Sequence, residues 1–204
     1  MARPRKMVLV PPPKWEDTIE TLRGEFPRPA PSLDRNRCNI AIVGCYPGLW
    51  EAAPFADKEW EIWGFSRRHM GKLPRCDKWF ELHDAINFQR YETEIKGYNE
   101  FLIRGNCEDT VVLQKDFPSA ALLERFGPYF LTSGQAPWLL AYAISLKPAK
   151  IGIWGVEARE GYPMQRYELQ HFIQIAKDEG IEVIVPEGCT ILERRPLYGF
   201  ESKK

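Results

Sequence analysis

From residue 39 onward, hydrophobic residues occur in short, nearly continuous runs that are separated by longer mixed segments. Such runs are typical of strands that are buried on both faces of a parallel sheet. We therefore predict six strands, at residues 39–43, 60–63, 79–82, 111–113, 151–154 and 183–185.

Two of the mixed segments have the apolar spacing of a helix. The first predicted helix begins at Ser133 or Gly134 and continues to about Leu146. The second begins near Pro163, repeats apolar side chains at positions i, i+3, i+4 and i+7, and ends at Gly180. Strands that alternate with helices predict an α/β fold with a three-layer, Rossmann-like parallel sheet.

The first residues of the chain differ in composition from the rest. Seven prolines precede residue 32, and a short amphipathic helix is predicted at residues 15–22. We expect this Pro-rich arm to pack on its own domain or to mediate self-association or docking into a larger assembly. The predicted units are an N-terminal arm (1–37), a Rossmann-like nucleotide-binding domain (38–195) and a C-terminal tail (196–204).

Charge and cysteine content exclude several classes of protein. Lys and Arg together number 28, as do Asp and Glu, so a dedicated nucleic-acid surface is not expected. No apolar run approaches the roughly 18 residues of a membrane helix, and Pro11 to Pro13 interrupt the only leader-like segment. We expect a cytoplasmic protein without a membrane partner. The five cysteines form no CxxC pair, so neither a disulfide framework nor a structural zinc is predicted.

A glycine-containing loop, with Gly44, Cys45, Pro47 and Gly48, follows the first predicted strand. In open α/β sheets, ligands bind at the carboxyl ends of the strands, where free backbone N–H groups can surround a phosphate. The loop is neither GxGxxG nor a Walker P-loop, so an ordinary strand-to-helix turn remains the alternative.

A basic stretch follows the second strand, where Ser66 precedes Arg67 and Arg68. Five basic residues lie between Arg67 and Lys78, on the same predicted edge as the glycine loop. Arginine is well suited to bidentate binding of phosphate, so we predict an anion site; the alternative is a solvated basic loop.

The third strand ends in Glu81, His83 and Asp84, residues that can support acid–base chemistry. A metal site would need a third ligand that the nearby sequence does not supply, so no metal is predicted. Further along, Thr132, Ser133 and Gly134 open a predicted helix and offer hydroxyl and N–H groups to an anion. A purely structural helix cap is the alternative for that segment.

Three blocks, IAIVGCYPGLW, EIWGFS and LTSG followed by AYAISLKPAKIGIWGVE, together resemble the bacterial family 42 sialyltransferases. They are also similar to related Rossmann-like proteins described as pterin-pyrophosphokinase-like. Short bacteriophage proteins share the WEIWG, WFELH and TSG blocks, and the chain resembles those most. The resemblance spans about residues 39–192 and is thinnest between 85 and 130.

In those sialyltransferases, the first glycine loop and the Thr-Ser-Gly helix start hold a cytidine nucleotide sugar. Here Cys45 stands where the family has Asn, and Ser66 also replaces an Asn. The family has a lid that carries a catalytic His and tyrosines, and the matching segment of this chain is only residues 158–163. Tyr162 and Tyr167 would replace the phosphate-binding tyrosines of that lid. His171 matches no family position and is predicted to lie at the surface. The implied nucleotide-binding residues are Gly44, Cys45, Pro47, Gly48, Ser66, Thr132, Ser133 and Gly134, with Arg67 and Arg68 added from the basic stretch.

Two functions are compatible with these residues. The first is a phage-type protein that binds a nucleotide or nucleotide sugar without a further cofactor, and acts as a glycosyltransferase at an anomeric carbon. His83 or Glu157 would then accept the proton of the acceptor. The second is a non-enzymatic, virion-associated protein that keeps the fold and works through its arm. An open pocket favours the first; a pocket filled by Tyr46 and Trp50 favours the second.

Overall fold

The computed structural model describes residues 39–83, 96–104, 110–158 and 163–193. The predicted arm and C-terminal tail lie outside these residues, as do Asp84 and Tyr162. The strands are β1 (Asn39–Val43), β2 (Trp60–Gly64), β3 (Lys78–Glu81), β4 (Thr110–Leu113), β5 (Lys150–Trp154) and β6 (Glu182–Ile184). The helices are α1 (Tyr98–Arg104), α2 (Ser119–Phe126), α3 (Gln135–Ser145) and α4 (Pro163–Asp178).

The six strands form one parallel sheet in the order β4-β3-β2-β1-β5-β6. The predicted α/β, Rossmann-like fold is therefore confirmed. β1 lies in the centre, with Ile40 opposite Glu61 of β2 and Ile151 of β5. The strand order reverses between β1 and β5, which is the point at which open α/β sheets place a ligand.

Alternate residues of β1 bury different faces of the sheet. Ile40 and Ile42 join the large core formed with α2, α3 and α4. Ala41 and Val43 join a smaller core on the opposite face. This alternation gives the two-sided burial that the continuous apolar runs predicted.

Every predicted strand is present, with ends that differ by one residue at most. The helices α1 and α2 were not predicted. Pro118 and Gly127, which flank α2, are its boundary signals, and Gly127 adopts the positive φ that favours glycine after a helix. Within the part of the chain that the structure describes, no helix is long and apolar enough to cross a membrane.

The large core contains an ion pair between neighbouring strands. The Nζ of Lys78 on β3 lies 2.5 Å from Oε1 of Glu61 on β2, and both side chains are more than nine-tenths buried. The indole N–H of Trp63 donates to the same oxygen at 2.6 Å. Burial and then the charge of Glu61 raise the pKa of Tyr142, whose ring stacks on Trp63.

Candidate functional site

Two adjoining clefts open at the carboxyl edge of the sheet. The smaller, of about 410 Å³, lies along the loops that follow β1 and β5. The larger, of about 560 Å³, extends toward the end of β3 and the start of α3. Both are lined by Cys45, Phe65, Ser66, Arg68 and Gln165, so the two clefts meet beside the exit of β2.

The structure brings most of the predicted site residues to this edge. Gly48 and Thr132 are the exceptions, since both are exposed and line neither cleft. Of the predicted residues, the smaller cleft is lined by Gly44, Cys45, Pro47, Ser66, Arg68 and Glu157. The larger cleft is lined by Cys45, Ser66, Arg67, Arg68, His83, Ser133 and Gly134.

Gly44 forms the floor of the smaller cleft through direct backbone packing against Gly155. The N–H of Gly44 donates to Trp154 O at 2.8 Å, and the N–H of Tyr46 donates to Gly155 O at 2.9 Å. A Cβ on Gly44 would meet Gly155 O closer than the 3.0 Å limit of real Cβ contacts. The glycine is therefore required for the close approach of two loops.

We expect Gly44→Ala to lower the free energy of unfolding by about 3 kcal/mol, because the added Cβ meets backbone that cannot move aside. Gly134→Ala is the matched control. Its Cβ would meet the terminal amide of Gln165, a flexible side chain that can shift, so the cost should stay below about 1 kcal/mol. Urea denaturation of both variants measures the difference, and equal losses would contradict this explanation.

The basic stretch divides into two parts with different roles. Arg67 and Arg68 belong to a 3₁₀ turn, Arg67–His69, that follows Ser66 and lines the clefts. Lys78 is buried in the ion pair with Glu61. Of the cluster predicted on this edge, the two arginines after Ser66 are therefore the cations that reach the clefts.

Arg75 belongs to the loop that precedes β3, and its side chain is buried against the loop before β2 rather than presented to a ligand. Its guanidinium donates to Phe55 O at 2.9 Å and to Asp57 O at 3.0 Å, and also to Trp60 O. Its Nε lies 3.3 Å from the carboxylate of Asp77. Arg75 thus satisfies carbonyl groups of the chain, which corrects its assignment to the anion-binding stretch.

Trp50 does not fill the clefts, since it lines neither of them. Its ring contacts His69, with ring centroids 4.6 Å apart, and Phe55. Burial lowers the pKa of His69, and the nearby positive charge of Lys72 lowers it further. Tyr46 lines the smaller cleft without filling it. The open pocket is the arrangement that favours ligand binding.

At the predicted helix start, a carboxylate of the same chain accepts hydrogen bonds from the backbone N–H and hydroxyl groups. Glu168 of α4 is fully buried. One of its oxygens accepts from the N–H of Thr132 at 3.1 Å and from its hydroxyl at 2.6 Å. The other accepts from the N–H of Ser133 at 3.1 Å and from its hydroxyl. The donors that we predicted to meet a phosphate therefore meet Glu168.

His83 lies at the edge of the larger cleft, with its side chain about one-third exposed. Its Nδ1 is hydrogen-bonded to Oε1 of Glu81. The same Glu81 oxygen accepts from the backbone N–H of His83 at 3.0 Å. An imidazole held by a carboxylate at one nitrogen is suited to exchange a proton at the other.

Glu157, the other predicted base, is buried at the end of the smaller cleft. Its carboxylate accepts from the backbone N–H of Thr190 at 3.1 and 3.2 Å, and from the hydroxyl of the same residue. These bonds tie the exit of β5 to the turn after β6. Burial raises the pKa of the neighbouring Cys189 thiol to about 11, and Glu157 contributes to the rise.

No family model and no curated protein matches the chain. A solved structure does: the monofunctional alpha-2,3-sialyltransferase Cst-I from Campylobacter jejuni. It is 13% identical, and the superposition covers 83% of each chain at a TM-score of 0.51. The fold is sialyltransferase-like. A second alpha-2,3-sialyltransferase from the same organism, in apo form, is 14% identical over 81% of this chain and 82% of its own, at a TM-score of 0.48.

The carboxyl edge of the sheet also contains residues that we did not predict as site residues. Gln135 follows Gly134 at the start of α3, and Gln165 lies in the first turn of α4. Phe65 connects β2 to Ser66. The position of Gln135 next to a predicted helix start was a usable signal, whereas that of Gln165 depends on how α4 packs on α3.

Two further residues that we considered at the sequence level lie away from the clefts. Tyr167 is exposed on α4 and lines neither cleft. His171, predicted to lie at the surface, is half-buried and stacks on Phe130 with ring centroids 3.7 Å apart. Burial lowers its pKa. Among the described residues, no group of His, Cys, Asp or Glu is arranged to hold a metal ion.

Proposed function

We propose that the chain is a glycosyltransferase-like enzyme that binds a nucleotide sugar in the paired clefts and transfers the sugar through its anomeric carbon. One observation carries the proposal: Arg67 and Arg68 share an open cleft with the Glu81–His83 pair. Cations beside a positioned imidazole suit a reaction in which a phosphate leaves and a hydroxyl attacks. The sialyltransferase-like fold agrees with this chemistry.

The two clefts suit different parts of such a donor. The smaller is walled largely by apolar groups, including Phe65, Val156 and Ala158, and suits a nucleoside. The larger is lined by polar side chains and suits the phosphate, the sugar and the acceptor. Arg68 lines both clefts, so it would bind the phosphate at their junction.

In the proposed reaction, the acceptor's hydroxyl oxygen forms a bond to the anomeric carbon while its proton passes to His83. The bond from that carbon to the phosphate oxygen breaks, and its electron pair leaves on the nucleotide. Arg67 and Arg68 stabilise the charge that develops there. His83 suits the role of base better than Glu157, whose oxygens already accept from both the N–H and the hydroxyl of Thr190.

Calorimetry with cytidine and uridine mono- and diphosphates tests the binding step. We expect at least one of them to bind, and Arg68→Ala to weaken that binding by about 10- to 100-fold, since a charge-assisted hydrogen bond contributes about 1.5–3 kcal/mol. Lys72→Ala is the matched control, because Lys72 is an exposed cation of the same segment that lines neither cleft. Ser133→Ala should have little effect, since its hydroxyl already donates to Glu168.

The alternative is a non-enzymatic protein that keeps the fold and works in an assembly, such as a phage particle, through residues 1–37. The Glu168 carboxylate favours this alternative, because it occupies donors that a phosphate would otherwise use. No heat with any of the four nucleotides at millimolar concentration would remove the proposed site and leave the structural role.

A further inference from the structure

We propose that Glu81 is a positioning residue that holds His83 as its Nδ1–H tautomer, so that Nε2 is the nitrogen that accepts the acceptor's proton. The catalytic role of Glu81 in this inference rests on the function proposed above. The placement of the proton on His83, however, is a property of the protein without any substrate, and can be measured separately.

The position of Glu81 is fixed by the fold. It is the last residue of β3, paired with Leu113 of β4, and its side chain is about 1% exposed. One oxygen accepts from the backbone N–H of His83 and is hydrogen-bonded to Nδ1 of the same residue. The other accepts from the hydroxyl of Tyr98 on α1. Donors from two elements therefore surround this buried carboxylate.

These contacts determine which nitrogen of His83 carries the hydrogen. An ionised carboxylate only accepts hydrogen bonds, so the nitrogen bonded to Glu81 must be the N–H. Burial away from water increases the cost of any arrangement in which the carboxylate faces a lone pair. In neutral His83, Nε2 is then the basic nitrogen.

Gln135 also lies near Nδ1, with its Nε2 at 3.3 Å. Its own Oε1 accepts from the N–H of Leu82 at 3.0 Å, which orients the amide so that its NH₂ faces the imidazole. Two donors cannot bond to each other, and the 3.3 Å separation is longer than that to the carboxylate. Glu81 therefore determines the tautomer.

Nitrogen NMR of protein labelled with ¹⁵N-histidine tests the proposal at about pH 8.5, where an ordinary imidazole is neutral. The chain has three histidines, and substituting each by Gln assigns the signals. We expect a protonated-type shift at Nδ1 of His83 and an acceptor-type shift at Nε2. The reverse pattern in the wild-type protein would overturn the proposal.

Two variants separate positioning from general structural support. Glu81→Gln offers a single acceptor oxygen to three donors, so we expect part of the His83 population to move to the Nε2–H tautomer. Tyr98→Phe removes a donor to the same carboxylate but leaves the bond to Nδ1, so the tautomer should remain as in the wild type. Equal tautomer patterns in wild type and Glu81→Gln would also overturn the proposal.

Once a sugar donor and its acceptor are identified, Glu81→Gln should lower kcat by about 10²- to 10⁴-fold with little change in the KM of the sugar donor. Unchanged kcat would overturn the positioning role. The two proposals fail separately: wild-type protein with the expected tautomer but no affinity for nucleotides would remove the proposed function, and would still support the control of His83 by Glu81.

Discussion

Replacing Lys78 by methionine should lower the free energy of unfolding by about 3–5 kcal/mol, which is the usual cost of breaking a buried ion pair. The carboxylate of Glu61 is fully buried and would lose the ammonium group that lies 2.5 Å away. The indole N–H of Trp63 would remain as a neutral donor, which cannot compensate the charge. Urea denaturation followed by tryptophan fluorescence measures the change.

Two further variants test whether the loss of stability comes from the burial of this ion pair. Lys150→Met breaks an exposed ion pair with Glu182, whose side chains are 41% and 56% exposed, and should cost less than about 1 kcal/mol. The double variant Lys78→Met with Glu61→Leu removes both charges and should recover part of the lost stability; the rest stays lost because the indole N–H of Trp63 no longer has an acceptor. A Lys78→Met variant no less stable than Lys150→Met would show that Glu61 is neutralised in another way.

In the proposed transfer reaction, replacing His83 by glutamine should lower the rate by about 10²- to 10⁴-fold, the usual contribution of a general base. The binding of the nucleotide should change little, because Arg67 and Arg68 remain in place. Steady-state rates at saturating donor, with calorimetry on the same samples, measure the two effects separately.

His171→Gln is the matched control for that experiment. His171 stacks on Phe130 and lines neither cleft, so its replacement should leave the rate within about twofold of the wild type. A His83→Gln variant that transfers sugar at the wild-type rate would remove His83 from the reaction and make Glu157 the remaining predicted base.

The strands were predictable because burial on both faces leaves continuous apolar runs, and this signal is strong in β1 and β5. Its exceptions include Glu61 and Lys78, which are charged and yet buried. Each supplies the counter-charge of the other. They meet because β2 pairs with β3, and the sequence of either strand alone does not reveal that pairing. The short helices α1 and α2 lacked enough turns for a clear helical period.

The location of the site was more predictable than the contacts within it. Parallel strands bring their carboxyl ends to one edge, so Gly44, Ser66 and His83 could be placed together from sequence order alone. The partner of Thr132 and Ser133 could not, because Glu168 lies more than thirty residues further along the chain. An acidic residue on a helix ordinarily faces water, and only the packing of α4 against α3 turns this one inward.

The central place of β1 has a consequence for how the protein is made. β1 pairs with β2 soon after it in the sequence, but its other neighbour, β5, follows about 110 residues later. At ordinary elongation rates of about 5–20 residues per second, the edge of β1 that will meet β5 stays unpaired for roughly 5–20 s on the ribosome. An open apolar strand edge is a template for intermolecular pairing. The half-synthesised chain is therefore the state in which this protein is most exposed to aggregation and to capture by chaperones.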